Sequence, residues 1–131
     1  LPARLAPPLR DLDVQRSAGV FGVRFTAVLA GQAIGACECI ADMTQGGALP
    51  ALQGWAQLSE FAVDAEWRNR GVGMWLMQQA VAWLRLAGCN RVVLSVAADD
   101  EEAGAGRFYE RCGWHPLVRS RRGWRRVAPV R

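Results

Sequence analysis

A pair of glycines between a strand-like and a helix-like segment is the feature that most constrains this fold. The stretch EWRNRGVG (66–73) follows the apolar run WAQLSEFAV and its short DA linker, and precedes MWLMQQAVAWLRLAG. The first turn of a helix carries unpaired N–H groups and a partial positive charge. Glycine lets a bulky anion approach that backbone, and arginine adds a forked charge suited to phosphate. The pattern predicts a pyrophosphate seat, although a lone Gly-x-Gly also fits an ordinary helix start.

The segments around this turn predict an α/β (α+β) domain. Strand, glycine turn, helix and strand form a βαβ unit, so its two strands should be parallel with a right-handed crossover. We read the Pro-rich residues 1–18 as a loop with one helical turn near Arg10–Val14. The remaining predicted elements are a hairpin of runs 19–30 and 32–43, a strand at about 55–63, a helix at about 72–87, a strand at 91–96, a helix at about 103–112 and a closing strand pair around RRG.

Composition excludes several classes of function. A chain of 131 residues suits one domain, 1–131, and has no apolar run long enough to span a bilayer and no charged-then-apolar leader, so we expect a cytoplasmic protein. The net charge is +4 and every basic residue is arginine, which removes the lysine-dependent phosphate-binding loop. Leu76 stands where a dinucleotide fingerprint needs a third glycine.

The cysteines do not predict a metal site. Four are present, none in a C-x-x-C pair, and the single His115 cannot complete a zinc site with suitable spacing. We expect reduced thiols, mostly buried as small apolar groups. The alternative, a thiol nucleophile, lacks a base nearby in sequence other than His115.

Two motifs in order point to a family. The turn fits the pattern Gln/Arg-x-x-Gly-x-Gly/Ala, and about 35 residues later FYERCGW (108–114) fits Leu/Phe-Tyr-x-x-x-Gly-Phe/Trp on a helix. Over roughly residues 20–127 the sequence resembles the GNAT superfamily of acyl-CoA-dependent N-acetyltransferases. The resemblance implies direct transfer of an acetyl group from acetyl-CoA to a primary amine of a small molecule or peptide.

The resemblance also implies where the cofactor lies. It predicts a mixed, mostly antiparallel sheet that splays open between strands 55–63 and 91–96, with the pantetheine arm in the opening. The acceptor amine enters from the other side. The implied partners of the pantetheine and thioester are main-chain groups of Phe61, Ala62 and Val63. The implied pyrophosphate seat consists of Arg68, Asn69, Arg70, Gly71, Val72, Gly73 and Met74.

The resemblance assigns the chemistry less completely. Tyr109, the only tyrosine, occupies the slot of a proton donor to the departing thiolate, and its alternative role is an aromatic packed on the sheet. The main-chain N–H of Ala62 or Val63 would hold the oxyanion. One common slot for the base falls on Gln57, which cannot take a proton. Glu60 could serve through water or be a structural partner for an arginine. Glu38 and Asp42 could line the acceptor side.

The sequence departs from the family at two places. The slot of an asparagine that touches the CoA arm falls in the acidic run, on Asp100 or Glu102. The family also begins with a strand and one or two helices that wall the acceptor site, whereas only about eighteen residues precede the first predicted strand here. That wall is reduced, or was lost with a missing N-terminus (the chain begins at Leu1), or is supplied by a partner chain.

Two other functions are compatible with the sequence. Gln57 and the short N-terminal region suit a CoA-binding module without catalysis. The arginines of the last thirteen residues, with Trp124 as a stacking platform, suit a nucleic-acid-binding module, although a solvated hairpin accounts for them more simply. Six tryptophans in a short chain also permit an exposed apolar patch and a homodimer.

Overall fold

The computed structural model describes residues 6–19, 22–40 and 54–130. In these ranges seven strands form one sheet in the order β1-β2-β3-β4-β5-β7-β6. The strands are β1 (Leu12–Ala18), β2 (Val23–Leu29), β3 (Gln32–Ile40), β4 (Trp55–Val63), β5 (Arg91–Ala97), β6 (His115–Ser120) and β7 (Gly123–Pro129). The helices are α1 (Val72–Leu86), α2 (Ala98–Glu102) and α3 (Ala105–Arg111), and a 3-10 turn covers Ala65–Trp67.

One parallel pair interrupts an otherwise antiparallel sheet. β4 and β5 run parallel and are joined through α1, as the βαβ pattern predicts. They pair over only three positions, from Trp55 opposite Arg91 to Gln57 opposite Val93. Beyond Gln57 the two strands diverge, so the predicted splay between them is confirmed. The prediction of a mixed, mostly antiparallel α/β sheet is confirmed with it.

Local signals set the limits of α1. Its N-cap, Gly71, has φ 84°, a left-handed conformation that glycine adopts without a Cβ clash. At the other end the Gly88 N–H donates to the Arg85 carbonyl and the Cys89 N–H donates to the Leu84 carbonyl. These two bonds, with φ 87° at Gly88, form a Schellman motif. The helix predicted at 72–87 is therefore present as residues 72–86.

The three helices lie over the same face of the sheet. Alternate residues of a strand share a face, and Ala56, Val92 and Ala128 of neighbouring strands are all in the core beneath α1. Leu94 shares that face with its partner Arg126, which bonds to Glu101 of α2. Tyr109 of α3 packs against the same core. The helix predicted at 103–112 is present as α3, and Gly104, at φ 104°, separates it from the short helix of the acidic run.

The interpretation of residues 1–18 as a loop with a helical turn was wrong for residues 12–18. Leu12–Ala18 is an edge strand, antiparallel to β2 from Leu12 opposite Leu29 to Ala18 opposite Val23. Leu12 is 5% exposed and belongs to the core. The prolines end before the strand begins. The strand forms because it pairs with β2, which local propensity does not indicate.

Replacing Leu12 by alanine tests whether β1 is part of the core. Loss of a buried leucine side chain should lower the free energy of unfolding by about 2–4 kcal/mol. Gln15→Ala, at an exposed position of the same strand, should change it by less than about 0.5 kcal/mol. Urea unfolding monitored by circular dichroism measures both. Equal small losses would show that this segment does not pack as described.

Candidate functional site: a glycine turn beside a splayed sheet

The turn between β4 and α1 has the geometry of an anion seat. The first intrahelical bond runs from the Trp75 N–H to the Gly71 carbonyl at 3.1 Å. The amides of Val72, Gly73 and Met74 therefore have no partner within the helix and point out of its N-terminus. Asn69, with φ 62°, and Gly71 both take left-handed conformations that turn the chain into the helix. Bare amides at a helix N-terminus favour a negatively charged group.

Two arginines flank this turn, each held by a different contact. The Arg68 Nε donates to the carbonyl oxygen of Val63 at 3.0 Å, which ties the loop back to the end of β4. The Arg70 guanidinium lies 5.0 Å from the centroid of the Trp67 ring, within range of a cation–π interaction. Both charges thus lie close to the start of α1, where they add to the field of the helix.

The glycines of the turn are required by close neighbours. A Cβ on Gly71 would lie 3.1 Å from Cβ of Pro8, and one on Gly73 would lie 3.3 Å from Cζ of Phe108. The N-terminal segment therefore packs against the turn from one side and α3 from another. The sequence carried no signal for the Pro8 contact, because the segment before β1 was read as a loop.

The end of β4 faces the gap between the diverging strands. Residues Glu60 and Phe61 lie opposite the single residue Cys37, which makes a β-bulge where Glu60 has φ 53°. Past the bulge the Asp64 N–H donates to the Ile34 carbonyl at 2.8 Å. Main-chain groups alternate along an antiparallel pair, so those of Val63 face the gap.

The three residues predicted to contact pantetheine are not equivalent. Ala62 pairs with Ala36 of β3, and its main-chain N–H and C=O are turned to that strand by the same alternation. Of the two candidate oxyanion donors, Ala62 and Val63, only Val63 directs its N–H into the gap. Phe61 lies at the bulge, and its side chain points to α3, where it meets two aromatic rings.

An aromatic cluster joins β4 to α3. Phe61 and Phe108 are stacked, with ring centroids 5.6 Å apart and planes 24° apart. Tyr109 meets Phe61 edge-on at 6.3 Å and Trp114 edge-on at 6.1 Å. Offset and edge-to-face pairs of this kind each add about 0.5–1.5 kcal/mol beyond their buried area. The cluster sets the distance between α3 and the bulge. The motif FYERCGW contains three of its rings, but their contact with Phe61 is not readable from sequence.

The phenol of Tyr109 stays protonated over a wide pH range. Burial, reinforced by the negative charge of Asp100, raises its pKa to about 12. At neutral pH the group is therefore a hydrogen-bond donor and cannot act as a base. The same helix carries Cys112, whose thiol pKa is also raised by burial.

The candidate bases are separated from Tyr109 by the sheet. Glu60 is exposed, and its Oε2 lies 3.4 Å from Nη1 of Arg24. Arg24 faces away from α1, because its neighbour Phe25 contacts Trp83 of that helix. Glu38 is buried at 5% exposure, and a side chain on Gly19 would collide with its carboxylate.

The other predicted positions near the acceptor are less informative. Asp42 lies outside the described residues, as does most of the loop before β4. Gln57 lies opposite Val93 at the last paired position before the strands diverge. Asp100 and Glu102, the positions aligned with the family's asparagine, are on α2.

The helices that wall the acceptor site in the family do not occur between β1 and β2. β1 passes to β2 through only four residues, 19–22, and the Gly19 N–H donates to the Gly22 carbonyl at 2.8 Å. Four residues are too few for a helix. A reduced wall, a missing N-terminal part and a partner chain all stay predictions.

The Arg-rich C-terminal segment does not offer a free stacking platform. The guanidinium groups of Arg119 and Arg126 lie 5.0 and 5.3 Å from the centroid of the Trp124 ring. Arg126 is 3% exposed and bonded to Glu101, so it is not a surface charge. These contacts weaken the nucleic-acid interpretation.

Most of the thiols are buried, as the sequence predicts. Cys37, Cys39 and Cys89 are buried, and a hydrogen bond with Cys37, together with burial, raises the pKa of Cys39 far above its ordinary value. Such a thiol is not ionised near neutral pH. Within the described ranges no cluster of metal-ligating side chains is found. No helix in the same ranges is long and apolar enough to span a membrane.

Since Tyr109 is the only tyrosine, its ionisation can be measured directly. Phenolate absorbance should titrate at a pKa of about 12 in the folded protein and at 10.0, the ordinary value, in denaturant. Because the unfolded state loses this proton first, the free energy of unfolding should fall as pH rises from about 10 to 12. A folded-state value near 10 would show that the phenol is exposed to water.

Comparison with known proteins agrees with this fold. A model of the acetyltransferase (GNAT) family matches residues 3–114. No curated protein matches in sequence. Solved structures with the same fold include PH1933 from Pyrococcus horikoshii, at 21% identity and TM-score 0.66 over 82% of this chain and 65% of that one. Ard1 from Thermoplasma volcanium is 23% identical, with TM-score 0.68 over 82% and 70% of the two chains.

A third structure carries the cofactor. PaiA N-acetyltransferase from Thermoplasma acidophilum, solved with coenzyme A, is 15% identical, with TM-score 0.66 over 81% of this chain and 59% of that one. This chain thus spans 59–70% of the lengths of the three proteins. The family match covers most of the sequence. The chain belongs to the acetyltransferase (GNAT) family.

Proposed function

We propose that this chain transfers an acetyl group from acetyl-CoA directly to a primary amine of a small molecule or peptide. The observation that carries the proposal is the position of α1. Its bare N-terminal amides, flanked by Arg68 and Arg70, lie where β4 and β5 diverge. A cofactor with a diphosphate at one end of a thin arm fits a seat and a gap placed side by side. A cytoplasmic location and a homodimer stay predictions.

The residues present fit acetyl-CoA as a cosubstrate. We assign the diphosphate to Gly71, Val72, Gly73 and Met74, whose glycines leave the amides accessible, with Arg68, Asn69 and Arg70 at the edge of the seat. We assign the pantetheine arm to the gap, where Val63 offers main-chain groups and Phe61 an aromatic wall. Ala62 is left out of this set, because its main chain pairs with β3.

In the proposed reaction the amine nitrogen attacks the thioester carbonyl, and the carbon–sulfur bond then breaks. The Val63 N–H holds the oxyanion of the tetrahedral intermediate, and such a donor is worth roughly 100- to 1000-fold in rate. The attacking amine, with a free pKa near 10, first loses a proton to water or to a base. Glu60 can take it only through water, since its carboxylate is exposed and paired with Arg24.

Tyr109 acts on the leaving group. Its pKa of about 12 exceeds the reference value of about 8.5 for a thiol. Complete transfer of the phenol proton to the thiolate is therefore unfavourable. Instead Tyr109 donates a hydrogen bond as negative charge develops on sulfur, and the proton lost by the amine finally neutralises the thiolate.

One observation favours a second candidate, a CoA-binding module without catalysis. Gln57 occupies the position where the family often carries the base, and Glu60, the carboxylate on β4, is paired with Arg24. Turnover with a panel of amines separates the two candidates, because binding alone gives no acetylated product.

Gly71→Glu tests the seat. A carboxylate beside the diphosphate should abolish the rise in melting temperature that saturating CoA causes in the wild type. That rise should be several degrees, since ligand at a hundredfold excess over Kd adds about 2.7 kcal/mol. Gly88→Glu is the matched control, because Gly88 has the same left-handed backbone at the other end of α1 and open space around it. A wild-type rise in melting temperature with CoA in Gly71→Glu would contradict the assignment of the diphosphate to this turn.

Tyr109→Phe tests the chemistry. Removing the hydroxyl alone should lower kcat by about 100-fold, the lower end for loss of one hydrogen-bond donor to a developing charge, and leave KM for acetyl-CoA within twofold. Steady-state kinetics with the best amine of the panel measures both. An unchanged kcat would mean that Tyr109 only packs α3 onto the sheet.

A further inference from the structure

Arg126 is a buried charge that the proposed reaction does not use. It lies in β7 and is 3% exposed. Its Nε donates to Glu101 Oε1 at 2.8 Å and its Nη2 donates to Glu101 Oε2 at 3.1 Å. This two-bond geometry joins the central part of β7 to the end of α2. Removing a charged pair from water is costly, and an apolar pair of similar volume is often at least as stable. Stability is thus a weak explanation for the pair.

The ion pair also touches both ends of α3. A Cβ on Gly106, in the first turn, would lie 2.6 Å from Nη2 of Arg126, so the helix backbone rests directly on the guanidinium. In the last turn, Glu110 Oε1 lies 3.6 Å from Nη1 of Arg126. Tyr109 stands between these two contacts on the same helix.

Such a short helix depends on its contacts for its position. α3 has seven residues and α2 has five, and isolated helices of this length are not stable in water. The aromatic contacts of Tyr109 with Phe61 and Trp114 fix the orientation of its ring. The distance between the α3 backbone and the sheet is set by a different contact, that of Gly106 with Arg126.

We propose that Arg126 is a positioning residue, whose ion pair with Glu101 holds α3 at the height that places the Tyr109 hydroxyl at the gap. The role of the hydroxyl and its place at the gap rest on the proposed function, but the contacts of the Tyr109 ring and of the α3 backbone do not. Arg126 therefore acts through Tyr109 without touching the cofactor.

The ionisation of Tyr109 gives a readout whose sign separates positioning from direct electrostatics. The charged groups that act on the phenol include Asp100 and Glu101. In Arg126→Met, a positive charge is lost and the Glu101 charge is left unneutralised, and both changes raise the phenol pKa. A lower phenol pKa requires Tyr109 to move towards water or away from the carboxylates of α2, and each of these is a displacement of α3 relative to the sheet or to α2.

We expect the phenol of Arg126→Met to titrate at least one unit below the wild type by phenolate absorbance. We also expect kcat to fall at least tenfold with KM for acetyl-CoA within twofold. Arg125→Met is the matched control: the same change at the next residue, which is exposed, should alter neither quantity. A phenol pKa that is unchanged or raised in folded Arg126→Met would overturn the proposal.

A second variant keeps the proposal testable if Arg126→Met does not fold. Arg126→Lys keeps the positive charge but cannot make the two-bond contact with Glu101, and it should fold, with the phenol again titrating lower than in the wild type. If Arg126→Lys folds with a wild-type titration, or if neither variant folds, the pair is structural only and the proposal falls. The titration needs no turnover, so it decides the positioning role even if no amine is acetylated.

Discussion

The short parallel contact between β4 and β5 is the constraint on which the rest of the structure depends. After three paired positions the bulge at Glu60 and Phe61 turns β4 away, and the two strands diverge. The main-chain groups of Val63 then have no strand partner on that side, although buried N–H and C=O groups need partners. The Arg68 side chain supplies one of them. The gap, the helix N-terminus beside it and the aromatic cluster at its edge all follow from this divergence.

Arginine serves three physical purposes in this chain. Arg68 and Arg70 keep their charges near the start of α1, where a permanent forked cation adds to the positive field of the bare amides. Arg24 forms an exposed pair with Glu60, and exposed pairs contribute little to stability. Arg126 is buried and bonded through two nitrogens, so its charge is committed to Glu101. The net positive charge therefore says less about partners than the burial of each guanidinium.

The sequence predicts the part of the fold that local chemistry encodes. Gly71 and Gly88 bound α1 because each adopts a left-handed backbone that marks a helix end, and the motif with Tyr109 lies on a helix as expected. β1 was missed because its order comes from pairing with β2, and its alternating pattern is short. The stacking of Phe61 on Phe108 joins residues distant in sequence, and the same holds for the pairing of Arg126 with Glu101. Neither contact leaves a periodic signal.

If acetyl-CoA binds as proposed, the contact of Arg68 with Val63 has a consequence for the free energy of binding. A pantetheine amide that took the place of the Arg68 Nε at the Val63 carbonyl would exchange one hydrogen bond for another at that atom. Exchange between equivalent partners contributes little net free energy. The freed guanidinium can then turn to the diphosphate, where an ionised acceptor makes a stronger bond. Selectivity for the cofactor would accordingly reside in its phosphorylated end rather than in its arm.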